Sequence, residues 1–295
     1  MLSLNDLKRW IFAKLFWGVM RHVVTDMQYA QIRYRLEQDQ PLNLKCPSRF
    51  TEKIQWIKLY DRTELRKKAA DRLRVRHYVS DRIGENHLVP LHTVFDKLTP
   101  DIWESLPGQF VLKANHGCGM VQIVGDKTDA NYSGIEQIAK RWMATDYFTI
   151  GREWVYKGLK RTTLAEKLLL DENGQIPSDY KFFCFQGQVE IIQVDFNRFG
   201  NQKRNLYDRN FNRVEGQLLY PNFEDDVSKP EGLDRAVEIA EALSKEFSFI
   251  RVDLYIVNKH VYFGELTNYP GNGFIEFRPE SLELRLGSLL QLPKS

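Results

Sequence analysis

The chain carries three charged residues inside apolar runs near its C-terminal end, and these residues have the clearest chemical potential. Arg251 and Asp253 fall within FIRVDLYIV, residues 249–257, and Glu265 falls within the next apolar run, residues 260–266. Charged side chains are rarely buried unless they pair with one another or bind a metal. Two carboxylates that converge beside an arginine would form a site for a hard divalent cation that carries phosphate. The alternative is a buried salt bridge that closes an ordinary hairpin.

The alternation of apolar and polar residues in the two runs predicts a β-hairpin that turns at Asn258-Lys259. The register of this hairpin decides whether the charges meet, because side chains alternate between the two faces of a strand. A two-residue loop would pair Val257 with His260 and put Asp253 and Glu265 on opposite faces.

A three-residue loop would give a different arrangement. It would pair Arg251 with Glu265 across the strands, and Asp253, Phe263 and Glu265 would then share one face. The pattern of residues leaves both registers open, so the hairpin predicts either a cation site or a structural ion pair.

A second chemical signal is a lysine beside a glycine-bearing turn. Lys113 directly follows the apolar run Phe110–Leu112, and Asn115–Gly119 form a turn before the strand-like run Met120–Val124. The two glycines would let backbone N–H groups approach a polyphosphate, and the lysine would add a point charge. Because a strand follows the loop, the motif is neither a Walker loop nor a Rossmann turn. The alternative is a tight hairpin with an exposed lysine.

Composition and charge indicate a globular protein of one or two domains that does not bind nucleic acid. The net charge of +3 over 295 residues gives no reason to expect a polyanionic partner. The three cysteines, Cys46, Cys118 and Cys184, are far apart. We therefore expect neither a disulfide framework nor a C-x-x-C metal site, and we place the protein in the cytoplasm.

The N-terminal run Trp10–Met20 is apolar, but Lys14 interrupts it and it is too short to span a bilayer. No small-residue cleavage site follows it, which argues against a signal peptide. The helical spacing of the apolar residues over residues 4–24 predicts an amphipathic helix. This helix would dock on the core or on a partner, or it would lie on the inner face of the membrane.

The chain as a whole predicts an α+β fold in three parts. Residues 1–87 are mainly helical and include a helix over Arg49–Tyr60 with Ser48 as its N-cap. Residues 88–164 form a small lobe of short strands that contains the lysine and the glycine-bearing turn. Residues 165–295 form a larger lobe that contains the charged hairpin.

Six stretches, in sequence order and over most of the chain, resemble the ATP-grasp superfamily and most of all its TupA-like branch, named for teichuronopeptide biosynthesis. The stretches are PSRFTEKIQWIKLYD, AADRLRVRHYV, LPGQFVLKANHGCG, AEKLLL, SDYKFFCFQG and FIRVDLYIVNKHVYFGELTNYPG. The resemblance implies an ATP-grasp fold, in which two α+β lobes clasp ATP.

The resemblance implies a triphosphate contact for the second motif. Lys113 would contact the α-phosphate. Four residues of the following turn would close over the triphosphate: His116, Gly117, Cys118 and Gly119. His116 could also remove a proton from an amine substrate, or it could only stabilise the loop. Upstream, the usual Asp-Lys pair of the family stands as Asp71-Arg72, and Arg72 keeps the positive charge without the compact ammonium group.

The resemblance also implies an adenosine site. Glu166 and the backbone of Lys167 and Leu168 would form the adenine hinge. Asp179 would bind the ribose hydroxyls.

The charged hairpin would hold the metal. Asp253 and Glu265 would bind Mg²⁺. Where many ATP-grasp enzymes have Glu-x-Asn, this chain has Thr267 at the third position and Asn268 one residue later, so either could be the third ligand.

Three cations would serve catalysis. Arg251 would stabilise the transferred phosphoryl group. Lys181 and Arg198 are further candidate catalytic cations, and Lys181 could bind phosphate or an acidic substrate.

The resemblance implies a carboxylate–amine ligase that uses ATP and Mg²⁺. A substrate carboxylate would attack the γ-phosphate to give an acylphosphate, and an amine would then displace phosphate to give an amide. The family context implies a uronic acid of a surface or capsular polysaccharide as the carboxylate and an amino acid or other amine as its partner. The alternatives are an ATP-dependent kinase, a glycosyltransferase-like enzyme of polysaccharide biosynthesis, and a non-catalytic nucleotide-binding module.

Overall fold

Helices dominate the first part of the chain, as predicted. The computed structural model describes residues 14, 16–196 and 201–293 of the protein. The longer helices before the first strand are α1 Asp26–Gln38, α2 Phe50–Tyr60, α3 Glu64–Ala70 and α4 Val75–Ile83.

The predicted amphipathic helix over residues 4–24 falls largely outside the described residues. Its described part is a π-helical turn, Phe16–Met20, that runs into the helical turn Arg21–Val23. No helix in the described part of the chain combines the length and the apolar composition needed to cross a bilayer.

Helix α2 begins one residue later than predicted, and its N-cap is Arg49 instead of Ser48. The carboxylate of Glu52 accepts hydrogen bonds from the backbone N–H groups of Ser48, at 2.9 Å, and Arg49, at 3.1 Å. A side chain in the first turn that bonds back to the cap satisfies donors that have no partner within the helix. Glu52 therefore defines the start of α2 more strongly than the Ser48 hydroxyl does.

The strands form two antiparallel sheets and one short pair. The strands are β1 Leu91–Phe95, β2 Phe110–Ala114, β3 Val121–Val124, β4 Thr163–Lys167, β5 Asp179–Phe185, β6 Gln188–Phe196, β7 Lys203–Tyr207, β8 Arg213–Val214, β9 Gln217–Leu218, β10 Phe249–Val257, β11 His260–Thr267 and β12 Phe277–Arg278. The first sheet has the order β1-β4-β2-β3, the second has the order β11-β10-β5-β6-β7-β8, and β12 pairs with β9. The predicted α+β class is confirmed.

The remaining helices lie between and after these strands. They are α5 Pro100–Ser105, α6 Tyr132–Ala144, α7 Phe148–Gly151, α8 Leu233–Ser244 and α9 Glu280–Leu289, with 3₁₀ turns at Glu85–His87, Trp154–Tyr156 and Pro270–Gly273. Strand β4 pairs with β1 and β2, so the predicted boundary after residue 164 falls within a strand of the first sheet. The division into residues 1–87, 88–164 and 165–295 stays a prediction.

The second sheet has one apolar face, and helices α4 and α8 cover it. Val79 of α4 and Val237 of α8 pack in one core with Val252 and Leu254 of β10. Burial of this apolar surface supplies the main driving force for docking the helices on the sheet.

The opposite face of the second sheet changes from apolar to charged along its strands. On β10, buried Phe249 is followed on this face by Arg251 and Asp253, and on β5, Phe183 lies two residues after Lys181. Helices α2 and α9 cover the aromatic end of this face, where Phe249 and Phe183 pack against their side chains. The charged end is left facing a cleft, and the strand periodicity places its side chains side by side.

A buried carboxylate ties α9 to α2. Glu283, which is fully buried, accepts hydrogen bonds from the backbone N–H of Thr51 at 2.7 Å, from the Thr51 hydroxyl at 2.7 Å and from the backbone N–H of Phe277 at 2.9 Å. Burial raises the pKa of Glu283, while these donors oppose that shift. The carboxylate therefore joins α9 and the nearby strand β12 to α2, which lies 232 residues away in sequence at Thr51.

We expect Glu283→Ala to lower the free energy of unfolding by about 3 kcal/mol, because each buried donor left without a partner costs about 1–3 kcal/mol. Urea denaturation followed by circular dichroism measures this loss. Glu172→Ala, at an exposed turn position, is the matched control and should change the value by less than about 0.5 kcal/mol. A loss below about 1 kcal/mol in Glu283→Ala would show that water replaces the carboxylate at no great cost.

Candidate active site

The charged hairpin turns through a two-residue loop. Val257 pairs with His260, and the loop residues Asn258 and Lys259 both have positive φ, at 49° and 67°. Two consecutive residues with positive φ form the tight turn that suits the twist of a hairpin. The three-residue loop is therefore wrong.

A β-bulge in β11 nevertheless brings the two carboxylates together. Leu254 pairs with Phe263, but the next residue, Asp253, pairs with Glu265, which leaves Gly264 unpaired. A bulge adds one residue to one strand and so reverses the faces of the residues beyond it. Asp253 and Glu265 lie opposite each other, while Phe263 is buried in the core with Leu254. Because of this bulge, the expectation that a two-residue loop puts Asp253 and Glu265 on opposite faces is wrong. The expectation that Phe263 shares their face is also wrong.

Arg251 joins the acidic side chains into one cluster. Its Nε lies 2.7 Å from Asp253 Oδ1, and its Nη2 lies 2.6 Å from Asp253 Oδ2 and 3.4 Å from Glu265 Oε1. Nη2 also donates to Thr267 Oγ1 at 3.0 Å, and the Thr267 hydroxyl donates to Glu265 Oε1 at 3.0 Å. Arg251 pairs with Thr267 in the ladder, not with Glu265 as the three-residue loop required.

Of the two candidate third ligands, the structure brings only Thr267 to this cluster. Asn268 is buried on the other side of the strand, where its Oδ1 accepts from Arg66 Nη1 at 3.2 Å and its Nδ2 donates to the Arg66 carbonyl oxygen at 3.0 Å. Side chains alternate along a strand, so Asn268 cannot join Glu265 without a second bulge. The structure thus gives no support for Asn268 as a metal ligand.

The two carboxyl groups have pKa values shifted in opposite directions. Burial raises the pKa of Asp253, although the charges of Arg251 and Lys181 oppose the shift. Burial also disfavours the charged form of Glu265, but the charges of Arg72 and Arg251 outweigh it and lower its pKa to about 2. Glu265 is therefore ionised, and a cation placed between the two groups would favour ionisation of Asp253 as well.

The oxygen donors of this cluster fit Mg²⁺. Mg²⁺ in nucleotide sites is held by one or two carboxylates together with phosphate and water oxygens. Asp253 and Glu265 supply the carboxylates and Thr267 supplies a hydroxyl. Within the described residues, no group of three or more His, Cys, Asp and Glu side chains is placed to hold a metal ion. A cation at this cluster would therefore be bound by the two carboxylates together with the oxygens of a phosphate ligand.

The side chains of the loop after β2 anchor it to residues elsewhere in the chain. Asn115 Nδ2 donates to Asp71 Oδ1 at 3.1 Å and to the Lys160 carbonyl oxygen at 2.9 Å. Both ring nitrogens of the buried His116 have partners, at 3.2 Å to Asn115 Oδ1 and at 3.0 Å to the Trp142 carbonyl oxygen. Burial lowers the pKa of His116. These contacts support the loop-stabilising role of His116 over a direct contact with a nucleotide or an amine.

Arg72 links this loop to the acidic cluster. Its Nη1 donates to the carbonyl oxygens of Ala114, at 2.7 Å, and Gly117, and its Nη2 donates to Glu265 Oε2 at 3.0 Å. Cys118 is exposed on the same loop. A β-carbon on Gly117 would lie 2.7 Å from the ring of Tyr147, so the close approach of the loop requires glycine there. The loop and the cluster therefore form two walls of one cleft.

Lys113 and the predicted adenine hinge lie together on neighbouring strands. Lys113 Nζ is 2.8 Å from Glu166 Oε2, and Arg76 Nη1 is 3.1 Å from Glu166 Oε1. The backbone N–H of Lys167 donates to the Pro90 carbonyl oxygen at 2.9 Å, and Leu168 follows the end of the strand. The roles of these residues toward a nucleotide stay predictions.

A buried ion network lies beside the acidic cluster. Lys181 Nζ contacts Asp179 Oδ2 and lies 3.6 Å from Asp195 Oδ2, and Lys181 pairs with Asp253 in the ladder. Arg204 Nε lies 2.5 Å from Asp195 Oδ1. The sequence prediction did not include Asp195 and Arg204, although Gln193 and Asp195 alternate with apolar residues in the second half of β6, which was a signal for Asp195. The predicted Arg198 lies outside the described residues.

A cavity of about 310 Å³ opens next to the acidic cluster. Arg72, Cys118, Arg251, Glu265 and Thr267 line it. Lys113 is outside this lining, with its amine on Glu166. The sequence prediction did not include five further residues that line the cavity: Arg33, Tyr147, Glu153, Tyr156 and Asn272. No local pattern marks them, because they come from elements far apart in the chain.

The two antiparallel sheets with their helices agree with an ATP-grasp fold. The model of the TupA-like ATP-grasp family matches residues 52–291. The chain therefore belongs to the TupA-like ATP-grasp family, as its motifs predicted. ATP-grasp ligases use ATP with Mg²⁺, in agreement with the predicted cofactors and with the oxygen donors of the cluster.

Solved structures of several ligases are similar to this chain at low identity. They include D-alanine–D-alanine ligase from Bacillus anthracis with ATP, at 14% sequence identity and a TM-score of 0.41. The match covers 68% of this chain and 53% of that chain. L-amino acid ligase from Bacillus licheniformis is 16% identical, with a TM-score of 0.44, and the match covers 76% of this chain and 49% of that chain. The ADP complex of purK, N5-carboxyaminoimidazole ribonucleotide synthetase, is 14% identical, with a TM-score of 0.43, and the match covers 83% of this chain and 53% of that chain. The chain thus spans about half the length of these proteins, and no curated protein matches it significantly.

Proposed function

We propose that this protein is an ATP-dependent carboxylate–amine ligase that forms an amide through an acylphosphate. The observation that carries the proposal is the cluster of Arg251, Asp253, Glu265 and Thr267 beside a cavity that both Arg72 and Arg251 line. Phosphoryl transfer needs positioning and charge neutralisation more than a covalent nucleophile. Fixed cations and metal-binding carboxylates at one end of a cleft meet that need.

The substrate carboxylate attacks the γ-phosphate of ATP, ADP leaves, and the acylphosphate forms. Arg251 and Arg72 neutralise charge on the transferred group, and each is held in place by several hydrogen bonds. Bound Mg²⁺ supplies Lewis-acid polarisation of the phosphate oxygens. The amine then attacks the acyl carbon, phosphate leaves with the bonding electrons, and the amide remains.

The other predicted residues have proposed roles in holding the nucleotide. Lys113 binds the phosphates once it leaves Glu166, and the Cys118 loop covers them. Glu166, with the backbone of residues 167–168, binds adenine, and Asp179 binds the ribose. The support is the position of Lys113, Glu166 and Asp179 on strands of the two sheets and that of Cys118 in the lining of the cavity.

For the substrates we propose a uronic acid of a surface or capsular polysaccharide as the carboxylate and an amino acid as the amine. The support is the resemblance of the motifs to the TupA-like branch and the presence of both charge signs in the cavity.

We place the protein in the cytoplasm at the inner face of the membrane, because Val19 and Val23, in the described part of residues 4–24, are 69% and 77% exposed. Co-sedimentation with anionic lipid vesicles tests this location, and absence of binding would contradict it.

A screen of uronic acids against amino acids, with MgATP and the full chain, tests the reaction. A ligase releases ADP and free phosphate when both substrates are present, and mass spectrometry detects the amide. If the uronic acid carries ¹⁸O in its carboxyl group, one ¹⁸O atom should appear in the released phosphate, because the carboxylate oxygen attacks phosphorus. A phosphorylated sugar without free phosphate would identify a kinase instead, and ADP production with no dependence on the acid would contradict the proposal.

A further inference from the structure

The cavity beside Arg251 contains a carboxylate that the proposed steps do not use. Glu153, at the start of the 3₁₀ turn Trp154–Tyr156, lines the cavity and is partly exposed to it. Its Oε1 accepts a hydrogen bond from Asn272 Nδ2 at 2.9 Å. With the other described residues Glu153 forms no ion pair. A partly buried carboxylate without a direct cationic contact is costly, and the ammonium group of a ligand would supply that contact.

The orientation of Asn272 leaves one oxygen of Glu153 available. Lys58 Nζ lies 2.7 Å from Asn272 Oδ1, and because an ammonium group only donates, the oxygen of the amide must face Lys58. The Asn272 Nδ2 group then faces Glu153 Oε1 and the Gly151 carbonyl oxygen, at 2.9 and 3.0 Å. Oε1 is thus occupied, and Oε2 can accept from a molecule in the cavity.

The support for Asn272 is rigid. Gln55 Nε2 donates to the Asn272 carbonyl oxygen at 2.9 Å, and Lys58, 2% exposed, contacts that oxygen at 3.2 Å. A β-carbon on Gly151 would lie 1.8 Å from Asn272 Nδ2, so only glycine permits this approach. Fixed donors and acceptors of this kind are typical of a preorganised binding site.

Arg33 lines the same cavity and supplies the opposite charge. Its guanidinium carbon lies 4.2 Å from the ring centroid of Phe274, its Nε donates to Glu37 Oε1 at 2.6 Å, and its Nη1 donates to the Tyr29 hydroxyl at 3.0 Å. Its Nη2 makes no hydrogen bond to another residue in the described ranges. The arginine is therefore held in one orientation with a donor to spare.

The other charges of the cavity are already paired. Glu265 contacts both Arg72 and Arg251. Glu153 Oε2 and Arg33 Nη2 are thus an acceptor and a donor without a hydrogen-bond partner among the described residues, although Arg33 Nε forms a salt bridge with Glu37. Burial raises the pKa of Glu153, against the opposing charges of Lys58 and Arg33, so this carboxylate is also a ready acceptor for a proton.

We propose that this cavity binds an α-amino acid as the amine substrate, with its ammonium group on Glu153 Oε2 and its carboxylate on Arg33 Nη2. The proposal rests on the ligase function proposed above. Glu153 takes one proton from the ammonium group, and the nitrogen lone pair forms the C–N bond to the acyl carbon. The C–O bond to phosphate breaks, its electron pair leaves with the phosphate, and the phosphate takes the second nitrogen proton.

Calorimetric titration of the full chain, loaded with Mg²⁺ and the non-hydrolysable analogue AMP-PNP, tests the site with a panel of L-amino acids. For the tightest ligand, removal of the amino group should weaken binding by about 30-fold or more, because a close buried charge pair is lost. Glu153→Gln should weaken the binding of the intact amino acid by a similar factor. Arg33→Gln should abolish the preference for the amino acid over its carboxamide. Glu104→Gln, 78% exposed on α5, is the matched control and should bind like the native chain.

Binding that is equal in the native chain and in Glu153→Gln would overturn the proposal, and so would the absence of binding of every amino acid. If Glu153→Gln does not fold, Arg33→Gln and the carboxamide comparison decide the question alone. Hydroxylamine capture of the acylphosphate from MgATP and a uronic acid, by the native chain, reports the ligase chemistry separately. Hydroxamate without amino-acid binding would overturn this site and leave the ligase standing. Amino-acid binding through Glu153 without hydroxamate would support the site and count against the ligase.

Discussion

Replacing Asp253 by Asn should lower kcat for amide formation by on the order of 1000-fold, because a charged metal ligand and the transition-state stabilisation that depends on it are both lost. The neutral amide also cannot form the two charged contacts that Arg251 makes with Asp253, at 2.6 and 2.7 Å. Steady-state ADP release with the substrate pair from the screen measures the effect. The fold should be retained, because Asn has the same shape and can still accept one hydrogen bond from Arg251.

The matched control for this prediction is Asp225→Asn, an exposed position in a loop, which should retain the native rate. If Asp253→Asn folded and kept ADP release within about threefold of the native value, Asp253 would not be a metal ligand. The cluster would then be the buried ion pair that the sequence analysis held open.

Replacing Arg251 by Lys should lower kcat by on the order of 100- to 1000-fold with a smaller change in the KM for ATP. Lysine keeps the charge, but it has a single nitrogen and cannot reach Asp253, Glu265 and Thr267 at once, as Arg251 does. The loss should fall on kcat because the planar guanidinium would contact the phosphoryl group as charge develops. Measurement of kcat and KM for ATP in the two proteins separates the contributions.

A rise in KM alone with unchanged kcat would show that Arg251 binds ground-state ATP and makes no special contact in the transition state. Arg235→Lys, at a position where the side chain is 56% exposed, is the matched control. It should leave both constants within the error of the measurement.

The strands of the charged hairpin could be predicted from their alternating residues, but their register could not. Counting from the turn gives the wrong face for Glu265, because Gly264 forms a bulge that shifts the ladder by one residue. A glycine inside a strand is a known signal of a bulge. The glycine was therefore the one local clue that could have chosen between the registers.

The contacts of Asn268 and Ser48 could not be predicted from local pattern. Asn268 has an amide that suits a metal, but Arg66, two hundred residues away in sequence, occupies it. Ser48 suits a helix cap, but Glu52 performs that function from inside the helix. In both cases a competing partner, not the residue type, decided the outcome.

The cavity depends on contacts between parts of the chain that are far apart in sequence. Arg33, Lys58, Glu153 and Asn272 come from α1, α2, a 3₁₀ turn and the chain after β11. Each of them is unremarkable in its own stretch of sequence. Long-range packing brings Arg33, Glu153 and Asn272 to one cavity and places Lys58 against Asn272.

The central claim is that Asp253 and Glu265 hold a divalent cation together with the phosphates of ATP. Crystals of the full chain grown with Mn²⁺ and AMP-PNP, with anomalous scattering recorded for manganese, test it most directly. The claim predicts manganese at about 2.0–2.3 Å from carboxylate oxygens of both residues, with the nucleotide phosphates on its open side. Manganese and nucleotide bound elsewhere, with Arg251 still closing the two carboxylates, would contradict it.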